Sequence, residues 1–218
     1  CHAITLKDHP NDPTPIIAGN VSFYNESKSG PIPPSPIVSC LGRFKNVNKA
    51  VPAHFQNNDS VILLIGERKN ELGGSVYYSL KNELGANVPK PNFEEVKNQI
   101  FALTDCIDSG LVLSCHDIAD GGIASALAEM TFTNSIGCNV NIESNLSPDK
   151  ILFSETGGFI LEVLPKNIDT IKSVFSNYEL DVFELGSTGG ESIQINGITN
   201  IVVSETKKAW KNGLREKL

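Results

Sequence analysis

The 218 residues contain no apolar run near the length of about 20 that a helix needs to cross a bilayer, so no membrane partner is expected. A signal peptide is not expected either, because the opening CHAITLKDHP is mixed and polar. The chain also lacks a clustered Lys/Arg face. Its 18 basic and 25 acidic residues give a net charge of −7, and nucleic acid is not expected as a partner. The one basic run, KKAWKNGLREK near the C-terminus, has the spacing of a solvated last helix. Cys1, Cys40, Cys106, Cys115 and Cys138 are odd in number, and none forms a CxxC pair. That argues against a zinc site or a disulfide framework and for reduced thiols in the cytoplasm, with Cys106 and Cys115 in core-like contexts. Internal repeats and low-complexity tracts are missing too. The first residue is Cys rather than Met, as expected of a processed, recombinant or fragmentary chain.

What is present suffices for a packed core: 40% of the residues are hydrophobic. Residues 1–7 read as the tail of a helix, followed by a Pro- and Asp-rich loop. IIAGNVSFYN starts as a buried strand and breaks at Gly19. A Pro-rich crossing leads to a strand over 37–41, and the polar, irregular stretch 43–58 marks a domain boundary. Beyond it the pattern is regular. SVILLIGE is a continuous apolar run, as in a strand covered on both faces. Phe93, Val96, Ile100, Leu103 and Ile107 recur at helical steps between an Asn92 cap and a Gly110 stop. LVLSCHD is a strand, and DGGIASALAEMTF a helix with Ile123, Leu127 and Met130 on one face. GCNVNIE is a short strand, and Ser147 and Pro148 open a helical turn. GFILEVLP is a strand, NIDTIKSVFSNY a helix, DVFELGST and SIQING a hairpin, and a last helix begins near Ser204. The pattern predicts a mixed α/β sandwich of the α+β class over 58–218. Residues 1–57 are too few, and too poor in helices, to close a core alone.

Four segments carry chemistry-bearing residues. HDIADGG (116–122) joins a strand to a helix, and its free backbone amides suit an anion. The alternative is local: Asp120 as N-cap and His116 hydrogen-bonded nearby. GERKNELGGSVY (66–77) offers a weak GGS anion loop or a plain helix start. In LFSETGGF (152–159), Glu155 either pairs with a cation or ends a helix. In GNVS, Gly19 permits close approach of a phosphate, Asn20 offers a neutral oxygen for Mg²⁺, and Ser22 can bond a substrate; a simple bulge is the alternative.

Taken in order, GNVSFYNES, PIPPSPIV, GERKNELGGSVY, SCHDIADGGIASALAEM and LFSETGGFILEV resemble the phosphoribosylformylglycinamidine synthase family, in its small synthetase form. The resemblance runs from about residue 14 to the C-terminus. The HD-x-x-x-GG element alone is shared with a superfamily that includes aminoimidazole ribonucleotide synthetase. The resemblance implies that residues 1–57 end the second of two ATP-binding domains and that 58–218 form a whole aminoimidazole ribonucleotide synthetase C-terminal-like domain. It implies an ATP- and Mg²⁺-dependent ligase that amidates formylglycinamide ribonucleotide with ammonia from glutamine. Its partners would be a separate glutaminase subunit, a small bridging subunit and the rest of the parent chain. Residue by residue it makes Gly19 an ATP contact, Asn20 a magnesium ligand and Ser22 a substrate contact. It assigns no catalytic residue here and leaves His116, Asp117 and Asp120 without a role, and the isolated chain is expected to be inactive. Val76 stands where the family commonly has Glu, and Gly157–Gly158 where Arg is usual, which argues against anion binding by those two loops. Another superfamily member, or a non-catalytic assembly domain, is the alternative reading.

Overall fold

The computed structural model describes residues 3–20, 25–32, 36–44 and 46–213. The chain divides into two units, Cys1–Asn48 and Lys49–Leu218. In the smaller unit, β1 (Thr5–Leu6) pairs antiparallel with β2 (His9–Pro13), and β3 (Glu26–Ser27) with β4 (Gly30–Pro31). The Thr14 hydroxyl donates to the Ile4 carbonyl at 2.7 Å, so the start of the chain is held extended where a helix tail is predicted. None of the described residues of this unit is buried. The apolar stretches expected as strands at 16–18 and 37–41 carry no regular structure, and Ile37 and Val38 are 92% and 89% exposed. The physical reason is burial: an apolar segment gains as a strand only when a ladder and a covering layer take it out of water.

The larger unit is built on β5 (Val61–Ile65), the apolar run SVILLIGE. A short helix α1 (Val76–Leu80) follows, capped by the Ser75 hydroxyl, which accepts from the Tyr78 amide at 3.2 Å. Helix α2 (Phe93–Asp108) starts at the Asn92 cap, whose side-chain oxygen accepts from the amides of Glu94 and Glu95. Then come β6 (Val112–Asp117), α3 (Gly122–Thr131), β7 (Cys138–Val140), α4 (Pro148–Phe153), β8 (Phe159–Val163), α5 (Ile168–Ser176), β9 (Val182–Thr188), β10 (Ser192–Ile195), β11 (Thr199–Val202) and α6 (Val203–Asn212). The seven strands β5 to β11 form one sheet in the order β11-β10-β7-β9-β5-β8-β6, antiparallel except at β10–β7.

Helices cover both faces. Ile62 and Leu64 of β5 join Ile160, Leu185 and Ile193 in one core, against Ile123, Leu127 and Met130 of α3 and Ile151 of α4. Leu63 and Ile65 point into the other, with Leu161, Val163, Leu103 and Cys106 of α2 and Phe175 of α5. Period-two alternation along a wholly apolar strand feeds two cores at once, which is why β5 shows no polar face. This is the mixed α/β sandwich that the pattern predicts.

Two details differ from the periodicity. On α2 the buried row is Gln99, Ala102, Leu103 and Cys106, while Phe93 and Ile100 are 56% and 37% exposed. Of the predicted stripe, Leu103 and Ile107 pack on the sheet, and Phe93 and Ile100 are turned aside. The last strands also pair differently. β7 lies between β9 and β10, so those two do not form a hairpin, and β10 turns back onto β11 instead. Asn196 and Gly197, both at positive φ (52° and 65°), open the three-residue connection between Ile195 and Thr199, and the Ile198 amide closes it by donating to the Ile195 carbonyl at 2.7 Å. Asn196 is fixed by its side chain, which accepts from the Ile142 amide at 2.6 Å and donates to the Ile142 carbonyl at 2.8 Å.

Candidate functional site

Three of the motif segments meet at one end of the sheet. Ile65 at the end of β5 and Asp117 at the end of β6 both pair with Phe159 at the start of β8. The loops that continue from these points are 66–75, 118–121 and 154–158, the glycine-rich stretches singled out above.

Hydrogen bonds lock them together. Arg68 reaches across the cluster, its Nη1 donating to the Ser154 carbonyl at 3.2 Å and its Nη2 to the carbonyls of Thr156 (2.7 Å) and Gly157 (2.9 Å). Burial pulls its guanidinium down from its ordinary value to about 10, while nearby Glu71 pushes it back up, so it stays charged at neutral pH. The Thr156 hydroxyl donates to Glu71 Oε2 at 2.8 Å, and the Ser154 hydroxyl donates to the Lys69 carbonyl at 2.5 Å. Thus a cation does stand beside Gly157 and Gly158, supplied by another loop.

The two candidate anion loops face an internal anion. Oε1 of Glu155 accepts from the Val76 amide at the start of α1 (2.8 Å) and from the Gly121 amide ahead of α3 (3.0 Å). One carboxylate therefore satisfies the backbone groups that an external phosphate would seek at both places. The roles weighed for Glu155, cation partner or helix end, are replaced by that of a tie between two turns. Asp120 is exposed and does not cap α3. Gly121, at φ +78°, takes the N-cap position. Gly122 follows at φ +67°, and a Cβ there would lie 2.6 Å from the Leu152 carbonyl oxygen, so the glycine pair serves close packing.

His116 is held locally. Nδ1 lies 2.7 Å from the Asp117 carbonyl oxygen and Nε2 2.9 Å from Oε2 of Glu129 on α3. Asp117 itself is exposed. One strand position earlier, burial and then the Asp117 charge push the Cys115 thiol up to about 12, and burial does the same to Cys138.

In the smaller unit, Gly19 and Asn20 are exposed, and the space where a Gly19 Cβ would point is open for 4 Å. Ser22 lies outside the described residues. Asn20 offers one neutral oxygen, and no group of three or more His, Cys, Asp or Glu that could hold a metal occurs among the described residues. A divalent ion would need most of its ligands from elsewhere.

Sequence reasoning missed Arg68, Glu71 and Glu162. Glu162 is fully buried on β8 and accepts from the amides of Gln56 (2.7 Å) and Asn57 (2.9 Å) and the Ser114 hydroxyl (2.7 Å). A lone acid inside the apolar run FILEV was the available signal, because a charge buried there must find donors. No comparable signal marks Arg68 in its polar loop.

A mixed sheet covered on both faces, with its glycine-rich loops tied at one end, defines the class of domain. The chain belongs to the family of AIR synthase related proteins, C-terminal domain, whose pattern matches residues 57–196. Over 97% of its length it is 37% identical to the protein of Methanothrix thermoacetophila named phosphoribosylformylglycinamidine synthase subunit PurL. Over 92% it is 35% identical to the Thermoplasma volcanium protein of the same name. The chain spans only 28% and 27% of those relatives. Among solved structures it is similar to T. maritima PurL complexed with FGAR (TM-score 0.64, 17% identity, 74% of this chain, 30% of that one). It is also similar to PurLQS from Thermotoga maritima (TM-score 0.60, 18% identity, 74% and 28%). These two likenesses support the fold.

Proposed function

We propose that this chain is part of a phosphoribosylformylglycinamidine synthase of the small synthetase form. Residues 1–57 would be the end of its second ATP-binding domain and 58–218 its C-terminal α/β domain. The parent enzyme uses ATP to activate the formyl amide oxygen of formylglycinamide ribonucleotide, and ammonia derived from glutamine then displaces phosphate. The single observation that carries this reading is the 37% and 35% identity to relatives of that name over 97% and 92% of the chain, at about a quarter of their length. The bare apolar residues of the smaller unit support it, since a domain remnant has lost the layers that covered it.

In this reading Gly19 lies against ATP, Asn20 gives one oxygen to Mg²⁺, and Ser22 contacts the substrate. Bound Mg²⁺ would offset charge on the transferring phosphoryl group. The residues of the larger unit hold position rather than react: Arg68 and Glu155 fix three loops, and His116 is engaged by Glu129. A glutaminase subunit and a small bridging subunit complete the enzyme, which works in the cytoplasm. Among the described residues no helix is long and apolar enough to cross a membrane.

The test uses the full-length parent enzyme and the 218-residue chain, each with ATP, Mg²⁺, formylglycinamide ribonucleotide and ammonium chloride. The parent should form the amidine with one phosphate per turnover, and Asn20→Ala in it should raise the Mg²⁺ requirement and lower kcat. The 218-residue chain should form no product. A parent that releases no phosphate with this substrate, or a chain that turns over alone, refutes the reading.

A further inference from the structure

A cavity of about 580 Å³ is walled by the end of β5 and the loop after it, the segment that follows β7, and the start of β9. A volume of this size suits a small ligand. Its buried wall is Leu64, Arg68, Ile142 and Leu185. Its exposed wall carries Glu67, Glu143 and Glu184. The lining is therefore polarised, with a buried cation on one side and exposed carboxylates on the other. Glu184 is paired with Lys172, whereas Glu67 and Glu143 have no ion pair among the described residues.

Arg68 is left incomplete by its own loops. It is only 8% exposed, and its Nη atoms donate to the carbonyls of Ser154, Thr156 and Gly157. Its Nε is buried and has no partner among the described residues. Those carbonyls carry no net charge, and Glu71 acts on the guanidinium by charge without an ion-pair contact. A buried charge with an N–H that lacks an acceptor is costly until something supplies one. The side chain that needs an anion thus lines a cavity whose other charges are acids.

We infer that this cavity binds a zwitterionic α-amino acid with an apolar side chain: its carboxylate accepts from Arg68 Nε, its ammonium group is balanced by Glu67 and Glu143, and its side chain lies against Leu64, Ile142 and Leu185. A simple anion such as phosphate would satisfy Arg68 but meet the two free carboxylates, and a simple cation would leave Arg68 as it is. A dipolar molecule answers both, through charge-assisted hydrogen bonds at each end. Arg68 Nε is closed to water, and the exposed side chains of Glu67 and Phe183 turn aside to admit the carboxylate. The inference rests on the larger unit alone and does not depend on the proposed enzyme.

The experiment is calorimetric titration of the 218-residue chain with L-leucine, with N-acetyl-L-leucine, which lacks the ammonium group, and with L-leucinamide, which lacks the carboxylate. Leucine should bind saturably and each analogue at least tenfold more weakly. Glu67→Gln combined with Glu143→Gln, both at exposed positions, should weaken leucine at least fivefold and leave N-acetyl-leucine unchanged. Arg68→Lys keeps the charge but not the Nε–H, and it should bring leucine down to the affinity of leucinamide. Saturating leucine should also raise the thermal midpoint of the unaltered chain and not that of Arg68→Lys. If Arg68→Lys fails to fold, the two analogues and the double glutamine variant decide the matter alone. No saturable binding of leucine, equal affinity for leucine and leucinamide, or unchanged affinity in the double glutamine variant would overturn the inference.

Discussion

Removing the Glu162 carboxylate should unfasten the entry segment of the larger unit from its sheet. Glu162 accepts three hydrogen bonds, two of them from consecutive backbone amides at 56 and 57. The same segment bonds β6 through the Pro52 carbonyl and the Cys115 amide at 3.0 Å, so this anchor fixes how 52–57 enters the sheet. In Glu162→Ala, three donors lose their acceptor and a cavity opens on the face of the sheet that Ile160 also occupies. Each stranded donor costs about 1–3 kcal/mol, partly offset because a buried charge no longer needs desolvating. The net expectation is a loss of about 3–5 kcal/mol, or roughly 6–20 °C in thermal midpoint for a unit of this size. Glu162→Gln separates geometry from charge. Its amide oxygen can serve Gln56 and Ser114, but its NH₂ must then face the Asn57 amide, so about 1–2 kcal/mol should be lost. Thermal unfolding by circular dichroism gives the magnitudes. Hydrogen exchange gives the location, because protection should fall at Gln56 and Asn57 before it falls at β5. If Glu162→Ala lies within about 1 kcal/mol of the unaltered chain, with both amides still protected, the anchoring argument is wrong.

Three further outcomes follow from the geometry. Cys115 and Cys138 are held up to about 12 from 9.0, so between those values the unfolded chain has shed protons that the folded chain keeps. Stability from these thiols is therefore full below pH 9 and falls as pH rises toward 12, and Cys115→Ala plus Cys138→Ala should flatten the midpoint measured between pH 8.5 and 10.5. Gly122→Ala places a Cβ 2.6 Å from the Leu152 carbonyl oxygen at φ +67°, whereas Gly74→Ala, at φ +73°, meets nothing within 4 Å. Urea unfolding should show a loss of roughly 2–4 kcal/mol for the first and only the left-handed strain of about 1–2 kcal/mol for the second. Glu155→Ala should cost about 1–3 kcal/mol, with faster exchange confined to the amides of Val76 and Gly121.

Regular elements were readable in the larger unit because β5 and α3 each bury one chemically uniform surface: five apolar residues in a row, and Ile123, Leu127 and Met130 at helical steps. The reading failed where partners are chosen in three dimensions. Sequence neighbours β9 and β10 are separated by β7, which comes from more than forty residues earlier, and no local pattern encodes that insertion. The Asn196-Gly197 signal for the true hairpin was present and was read as strand. Resemblance reached the family. The loop contacts needed coordinates, because Arg68 and Glu155 act on backbone groups, and backbone groups carry no sequence identity.

The glycine-rich loops show why composition is a weak guide to ligands. GGS before α1 and DGG before α3 both expose amides of the kind that bind phosphate, yet both are filled by Glu155 from a third loop. The same residue types therefore serve assembly of the domain itself. Gly122 permits α3 to approach the end of α4, Arg68 ties the carbonyls of 154, 156 and 157, and Glu155 closes the amides opposite. Such pairing closes the cluster on itself, although the buried Nε of Arg68 has no partner among the described residues. The smaller unit is the converse case: Gly19 and Asn20 stand open, among apolar residues that no layer covers.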